Sequence, residues 1–319
     1  MAKAISNALR TLSGASVEKE HLYLRKIIGF TGLSGTGTTT IAMGVAHSLA
    51  NMGHTVLYVD TRILFPTSYA FLLPRQEYSN DGDLLSLGER HYKDIIVKTK
   101  FENLWYAYAR NRTTLDIVSP RENYDNMLMF LENVRDMYNF IIVDISSELT
   151  NINSASIHEA DVIYQVWDEN SASFLNYKKF IAYLCEMGAE SYKITGVILN
   201  KRSNRIQLPD KIFKGSGLRL VATLPGSYTI KDLTWKGQTV CQLASMDKRD
   251  ALFTKKFKLI IEDIFDRLGE KSDESTIEDM DNMDLDELGI HQKPRKSWGR
   301  NNKKKKNRED SIVDTMVDN

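Results

Sequence analysis

A stretch rich in glycine and threonine near the start of the chain has the spacing of a phosphate-binding loop. Four residues separate Gly32 from Gly37, as in the P-loop pattern G-x-x-x-x-G-K-[ST]. Thr39 fills the Ser/Thr position, but Thr38 stands where the pattern has the lysine that reaches the β- and γ-phosphates. Backbone amides and a helix N-terminus attract phosphate without that lysine. The spacing therefore predicts a nucleotide site formed by Gly32, Leu33, Ser34, Gly35, Thr36, Gly37, Thr38, Thr39 and Thr40.

Two carboxylates are expected at the same place. Asp60 ends the apolar run 55–59, and Asp144 ends the most hydrophobic run of the chain, 140–143. Ligands of open parallel sheets gather at the carboxyl ends of the strands. There Asp144 and the Thr39 hydroxyl would hold Mg²⁺, and Asp60 is a weak candidate for a catalytic carboxylate. Other interpretations stay open: each Asp is also compatible with a helix cap, and the loop with a plain turn that binds nothing.

The elements that must position these residues alternate along the chain. From Lys26 to about Leu268, short β-branched runs alternate with helical patterns, which predicts an α/β fold with a mostly parallel, doubly wound sheet. The predicted strands are 27–30, 55–60, 104–107, 115–118, 140–144, 162–166, 194–199 and 218–223. Predicted helices include 123–137, 172–187 and 252–268.

The pattern also predicts the domain organisation. Residues 1–24 are expected to form an arm or helix, 25–268 a P-loop NTPase-like domain, and 269–319 a disordered tail. The tail has nine acidic residues and one Lys within 270–287, and nine basic residues without an acid within 293–308. The basic block would contact DNA non-specifically or an anionic surface. Alternatively, it folds back onto the acidic block and only aids solubility.

Composition excludes several classes of protein. The 42 basic and 42 acidic residues cancel, so no global charge points to nucleic acid or membrane. The two cysteines are too few for a disulfide framework, which suits a reducing cytosol. We find no signal peptide and no apolar run of about 18 residues. We therefore expect a cytoplasmic protein without a transmembrane segment.

Five segments, in this order, resemble the ParA/MinD family of P-loop ATPases, including the TadZ/CpaE-like branch that positions pilus machinery. They are Leu33–Thr40, Ala50–Asp60, Tyr138–Asp144, Gly196–Arg202, and Leu224–Ser227 with the following 231–237. The likeness covers roughly residues 26–268. It implies ATP and Mg²⁺ as cofactors, adenine contacts from Asn200 and from the loop that contains Pro225, and a nucleotide-dependent homodimer.

Three departures from the family pattern concern charge. Leu33 replaces the signature lysine that crosses the dimer interface in the family, and Thr38 replaces the second lysine of the atypical Walker A loop. Arg62 stands where the family commonly has a carboxylate that helps to position water. Arg62 is either a substitute cation or a surface or salt-bridged residue. Because phosphoryl transfer depends on such charges, the departures predict slow or absent ATP hydrolysis.

These features lead to one main hypothesis and two rivals. The main hypothesis is a ParA/MinD-like factor that binds ATP and Mg²⁺ weakly and dimerises. It would work with a protein partner to organise a pilus, secretion or conjugation assembly. A membrane-associated assembly could recruit it. One rival is a DNA-partitioning ATPase whose basic tail contacts DNA. The other is a scaffold of the same fold that binds no nucleotide.

Overall fold

The computed structural model describes residues 26–63, 66–73, 83–87, 91–109, 122–148, 150–169, 171–203, 218–243 and 248–268. This part of the chain contains eight strands and eight α-helices. The strands are β1 (Lys26–Thr31), β2 (Val56–Asp60), β3 (Val97–Lys98), β4 (Leu104–Tyr108), β5 (Phe140–Ile145), β6 (Val162–Trp167), β7 (Ile194–Arg202) and β8 (Leu220–Pro225). The helices are α1 (Thr38–Asn51), α2 (Tyr69–Leu72), α3 (Tyr92–Ile95), α4 (Glu122–Arg135), α5 (Asn151–Glu159), α6 (Ser171–Glu186), α7 (Tyr228–Trp235) and α8 (Lys248–Leu268).

All eight strands belong to one sheet in the order β3-β4-β2-β5-β1-β6-β7-β8. Every pairing is parallel except β3 with β4. All residues of β2 and β5 are buried, as expected for central strands that are covered on both faces. The predicted mostly parallel, doubly wound α/β sheet is therefore confirmed.

Helices cover the two faces of the sheet and form two cores. On one face, Phe30, Tyr58 and Ile142 pack with α1 and α8. On the other face, Val59 and Ile141 pack with α4 and α5. The core-facing residues of α1, Ile41, Val45 and Leu49, recur at helical spacing and are fully buried.

Several elements differ from the sequence prediction. The last strand lies at Leu220–Pro225 rather than 218–223, and α8 begins at Lys248, four residues before the predicted start. The prediction missed α2, α3 and β3, because elements of two to four residues are too short to show a period. The predicted arm 1–24, strand 115–118 and tail 269–319 lie outside the described residues. Among the helices that the structure describes, none combines the length and the apolar character needed to cross a bilayer.

The close packing of α1 against α8 depends on a glycine in α1. A Cβ atom on Gly44 would lie 2.2 Å from Val240 Cγ2 and 2.9 Å from Phe257 Cζ. These distances are well below van der Waals contact, so a side chain at this position forces the packed residues apart. Gly44 therefore lets α1 pack closely against α8 and Val240.

We expect Gly44→Ala to lower the free energy of unfolding by about 1–3 kcal/mol through overpacking. Helix propensity alone predicts the opposite sign, because Ala is favoured over Gly by about 1 kcal/mol in a helix. Urea unfolding followed by circular dichroism measures the difference. Asn51→Ala, at an exposed position of the same helix, is the control and should change stability by less than about 0.5 kcal/mol. A Gly44→Ala variant more stable than wild type would contradict the packing argument.

Candidate functional site

The glycine-rich loop joins β1 to α1 at the carboxyl edge of the sheet. Gly35 and Gly37 have positive φ angles of 85° and 95°, a backbone conformation that glycine adopts without strain. Gly37 is the N-cap of α1 and provides no side-chain cap. The first amides of α1 have no partner within the helix, and the helix dipole makes this end favourable for an anion.

Neighbouring strands enclose the loop tightly. A Cβ atom on Gly32 would lie 2.4 Å from the Val166 carbonyl oxygen, and one on Gly37 would lie 2.4 Å from Asn200 Nδ2. The Asn200 side-chain amide donates a hydrogen bond to the Thr36 carbonyl oxygen at 2.9 Å. The structure thus places Asn200 against the predicted loop, where it supports the backbone.

The threonine at the lysine position is engaged within the loop itself. Thr38 Oγ1 lies 3.1 Å from Thr36 Oγ1, and Thr36 Oγ1 donates to the Leu33 carbonyl oxygen at 2.9 Å. Both threonine side chains are buried. The Thr38 hydroxyl therefore stabilises the loop conformation and does not extend from it as a lysine would.

Asp144 lies directly beside the start of α1. Its Oδ2 accepts hydrogen bonds from Thr39 Oγ1 at 2.6 Å and from Tyr58 Oη at 3.0 Å. Its Oδ1 is buried and has no hydrogen-bond partner among the described residues. Burying a carboxylate oxygen without a hydrogen-bond partner costs free energy. Asp144 Oδ1 and the Thr39 hydroxyl are oxygen ligands of the kind that Mg²⁺ prefers.

The second predicted carboxylate is adjacent but committed to the protein. Asp60 pairs with Asp144 in the register of β2 and β5 and is fully buried. Its Oδ1 accepts from the Arg62 backbone N–H at 3.0 Å, and its Oδ2 accepts from the Ser68 hydroxyl. Ser68 Oγ also lies 2.7 Å from Tyr106 Oη. Asp60 therefore anchors the segment that follows β2.

The two neighbouring carboxylates favour bound protons. Burial raises the pKa of Asp144 to about 7, the charge of Asp60 adds to this, and the Thr39 hydrogen bond and the Arg62 charge oppose it. Burial also raises the pKa of Asp60, against the hydrogen bonds from Ser68 and Arg62. A cation bound here would favour the ionised forms.

Arg62, for which the sequence left two roles open, lies at this site. Its Nη2 is 3.4 Å from Thr39 Oγ1 and its Nη1 is 3.4 Å from Thr67 Oγ1. The side chain is half-buried, whereas Thr67 is exposed. The structure thus brings a guanidinium next to Thr39, on the side where Asp144 lies.

Sequence reasoning assigned no role to Lys201, which also reaches the loop. Its backbone has a φ of 57°, in the left-handed region, and its Nζ donates to the Gly35 carbonyl oxygen. Its backbone N–H donates to Asn200 Oδ1 at 2.9 Å. The sequence does show a cationic residue next to Asn200 at the end of a predicted strand, which could have indicated this contact. It does not show in which direction the lysine side chain extends.

The remaining predicted residues surround this centre. Leu33 is half-buried and packs against the core shared with α4 and α5. Ser34 is exposed and Thr40 is half-buried. Pro225 ends β8 and pairs with Arg202 of β7, two residues after Asn200. The structure therefore brings all predicted site residues to one edge of the sheet.

The fold and the site together define an α/β protein of the P-loop NTPase type. The sheet is mostly parallel, and a glycine loop joins its first strand to the first helix. A threonine after that loop contacts an aspartate of the adjacent strand. The chain belongs to the family described as AAA domain, whose pattern matches residues 25–194, more than half of the chain.

Solved structures show the same fold at low sequence identity. The cell division ATPase MinD of Pyrococcus furiosus is 22% identical, with a TM-score of 0.61 over 74% of this chain and 98% of that one. The septum site-determining protein MinD of Pyrococcus horikoshii, complexed with Mg-ADP, is 22% identical, with a TM-score of 0.61 over 75% of this chain and 95% of that one. A similar sequence, which is not one of these structures, belongs to an uncharacterised protein of Methanocaldococcus jannaschii. It is 21% identical over 247 residues, which are 72% of this chain and 95% of that protein.

We expect Asp144→Asn to stabilise the nucleotide-free protein at pH 8 by at least about 1 kcal/mol, because a raised pKa disfavours the ionised carboxyl in the folded chain and each pKa unit corresponds to about 1.4 kcal/mol. The folded chain holds the Asp144 proton more tightly than the unfolded chain, in which the carboxyl has its ordinary pKa of 3.8. The contribution of Asp144 to stability therefore falls as pH rises from 3.8 to about 7.

Urea unfolding of the two proteins at pH 5 and pH 8 tests this sign. The Asn variant should gain most at pH 8, where the wild-type carboxyl is ionised, and less at pH 5. Asn51→Ala, at an exposed position of α1 without a titratable group, is the control and should show the same small difference at both pH values. Equal gains of Asp144→Asn at both pH values would contradict the assignment.

Proposed function

We propose that the chain is a MinD/ParA-like positioning factor that binds ATP with Mg²⁺ weakly and hydrolyses it slowly or not at all. The observation that carries this proposal is the Thr39–Asp144 hydrogen bond of 2.6 Å at the N-terminus of α1, with Asp144 Oδ1 left unpartnered among the described residues. A threonine of the P-loop and an aspartate of a neighbouring strand are the two groups that hold Mg²⁺ in P-loop NTPases.

The phosphates would be bound mainly by backbone groups. Gly35 and Gly37 provide the positive φ angles that let successive amides turn toward one hollow. The first turn of α1 adds its amides and its dipole. This mode of binding does not require a lysine at position 38, and the Thr38 hydroxyl is used inside the loop.

Mg²⁺ would be held by the Thr39 hydroxyl and by Asp144, directly or through water. When bound, it supplies positive charge to the β- and γ-phosphate oxygens. Asp144 is then needed as a carboxylate, so metal and proton compete for it. On the base side, Asn200 and the loop at Pro225 are the proposed adenine contacts. Asn200 contacts the glycine loop, and Pro225 pairs with Arg202 of the strand that carries Asn200.

Slow turnover is proposed from the positions of the same residues. A general base or water-positioning carboxylate must be within hydrogen-bond reach of the attacking water. Both oxygens of Asp60 already accept hydrogen bonds from the protein. The position two residues later carries Arg62 instead of a carboxylate, and neither Leu33 nor Thr38 provides a cation. The site is therefore better suited to hold a nucleotide than to cleave it.

The proposed positioning role is supported by the structural neighbours and by the resemblance of the sequence. One neighbour is a cell division ATPase and another a septum site-determining protein with Mg-ADP. We propose that the nucleotide-bound chain forms a homodimer and recruits a protein partner of a pilus, secretion or conjugation assembly. The loop edge of the sheet, which carries the nucleotide site, is the proposed dimer face.

Isothermal titration calorimetry with ATP and Mg²⁺ tests the binding site. We expect a weak Kd, about 10 μM to 1 mM, which corresponds to about −4 to −7 kcal/mol. Thr39→Val should abolish the gain in affinity that Mg²⁺ provides, because it removes the hydroxyl and keeps the shape. Thr254→Val, whose hydroxyl donates to the Asp250 carbonyl oxygen within α8 at 3.0 Å, is the matched control. Absence of binding at millimolar ATP would reject the proposal.

Phosphate release at saturating ATP tests the second half of the proposal. We expect turnover far below the median enzyme kcat of about 10 s⁻¹, while sedimentation reports dimer formation in ATP and Mg²⁺ but not in buffer alone. Sustained turnover near that median would show that another group positions the water. A nucleotide-independent monomer would reject the dimer.

A further inference from the structure

We propose that Arg62 is the cation that contacts the terminal phosphate of the bound nucleotide. This inference rests on the proposed nucleotide site at the Gly32–Thr40 loop and adds a residue to it. In the sequence, Arg62 is a departure from a carboxylate position and Thr38 is a departure from a lysine position. The two departures together would move the phosphate-binding charge from the loop to the segment after β2.

The backbone of Arg62 is fixed in place by a buried group. Its N–H donates to Asp60 Oδ1 at 3.0 Å, and Asp60 is fully buried at the end of β2. The adjacent Thr61 adds a second attachment, because its hydroxyl donates to the Asp144 carbonyl oxygen at 3.0 Å. The start of the Arg62 side chain is therefore tied to the two strands that carry the carboxylates.

The end of the side chain lies at the metal side of the loop. Arg62 Nη2 is 3.4 Å from the hydroxyl of Thr39, the proposed Mg²⁺ ligand. In P-loop NTPases the Ser/Thr of the loop helps to hold a Mg²⁺ that neutralises charge on the last two phosphates, so a guanidinium next to Thr39 would lie near that end of the nucleotide. Lys201 lies elsewhere on the loop, since its Nζ bonds the Gly35 carbonyl oxygen.

The guanidinium is held loosely enough to turn toward a ligand. Among the described residues, the guanidinium forms hydrogen bonds with Thr39 and Thr67, both at 3.4 Å, which is longer than the usual 2.7–3.2 Å of an N–H···O hydrogen bond. Both partners are neutral hydroxyls. A phosphate offers charged oxygens that a guanidinium binds bidentately, which is a stronger interaction than either of these contacts.

Charge balance favours the same assignment. A nucleoside triphosphate at this site meets two buried carboxyl groups, Asp60 and Asp144, on adjacent strands, and a bound cation would favour their ionised forms. One Mg²⁺ offsets only part of this negative charge, and Thr38 adds none. Arg62 brings a positive charge to the end of the nucleotide where the negative charge is greatest.

A purely structural role for Arg62 makes a different prediction. If its charge only offsets Asp60 and Asp144, removing it should lower stability and weaken ATP and ADP binding alike. If Arg62 contacts the terminal phosphate, removing it should weaken the binding of ATP and leave the binding of ADP nearly unchanged. The ratio of the two dissociation constants therefore distinguishes the two roles.

The test is calorimetric titration of the full chain and its variants with ATP or ADP in the presence of Mg²⁺. We expect Arg62→Gln to weaken ATP binding about 10- to 100-fold, in the range of one lost charge-assisted contact, with ADP binding changed less than about 3-fold. Arg62→Lys keeps the charge without the planar fork and should fall between. Arg135→Gln, which removes an ion pair with Asp161 at the opposite edge of the sheet, should leave both constants unchanged.

Thermal melting of the nucleotide-free variants accompanies the titrations, and Arg62→Lys gives the readout if Arg62→Gln does not fold. An unchanged ratio of ATP to ADP affinity, an equal loss of both, or tighter ATP binding by the variant would overturn the role of Arg62 alone. A wild-type chain that binds neither nucleotide would instead reject the proposed function on which this inference rests.

Discussion

The parallel register of β2 and β5 places two carboxylates side by side at the end of a fully buried pair of strands. Asp60 and Asp144 are register partners and are 0% and 2% exposed. Burying two like charges is unfavourable, and the surrounding residues offset this cost by donating hydrogen bonds to the two carboxyl groups. Ser68 and the Arg62 backbone satisfy Asp60, while Thr39 and Tyr58 satisfy one oxygen of Asp144.

This constraint links the scaffold to the site. Helices cover both faces of the sheet, so the strand ends that carry the carboxylates are buried. Thr39, at the start of α1, lies 2.6 Å from Asp144. Among the described residues, Oδ1 of Asp144 has no hydrogen-bond partner, so this buried oxygen is left unsatisfied by the groups that surround it there. A divalent cation with a phosphate ligand would satisfy it.

Local patterns were sufficient to predict the sheet, the loop and the edge at which Asp60 and Asp144 meet, because periodicity and strand ends are encoded within short windows. The contacts that define the chemistry were not predictable in this way. Asn200 bonds a loop carbonyl 164 residues away, and the Arg62 guanidinium reaches Thr39 only because of the turn after β2. Such contacts depend on side-chain directions in the folded chain. They decide which of the open roles of Arg62 and Asp60 the site supports.

The hydrogen bond between Thr36 and Thr38 has a consequence for how this loop can change over evolution or in the laboratory. Both hydroxyls are buried and also lie against the space that a side chain at Gly32 would fill. Reintroducing a lysine at position 38 would add a cation and, in the same step, remove an internal bond of the loop. A cation at position 38 and the present internal bond of the loop are therefore alternatives, because both depend on the same side chain.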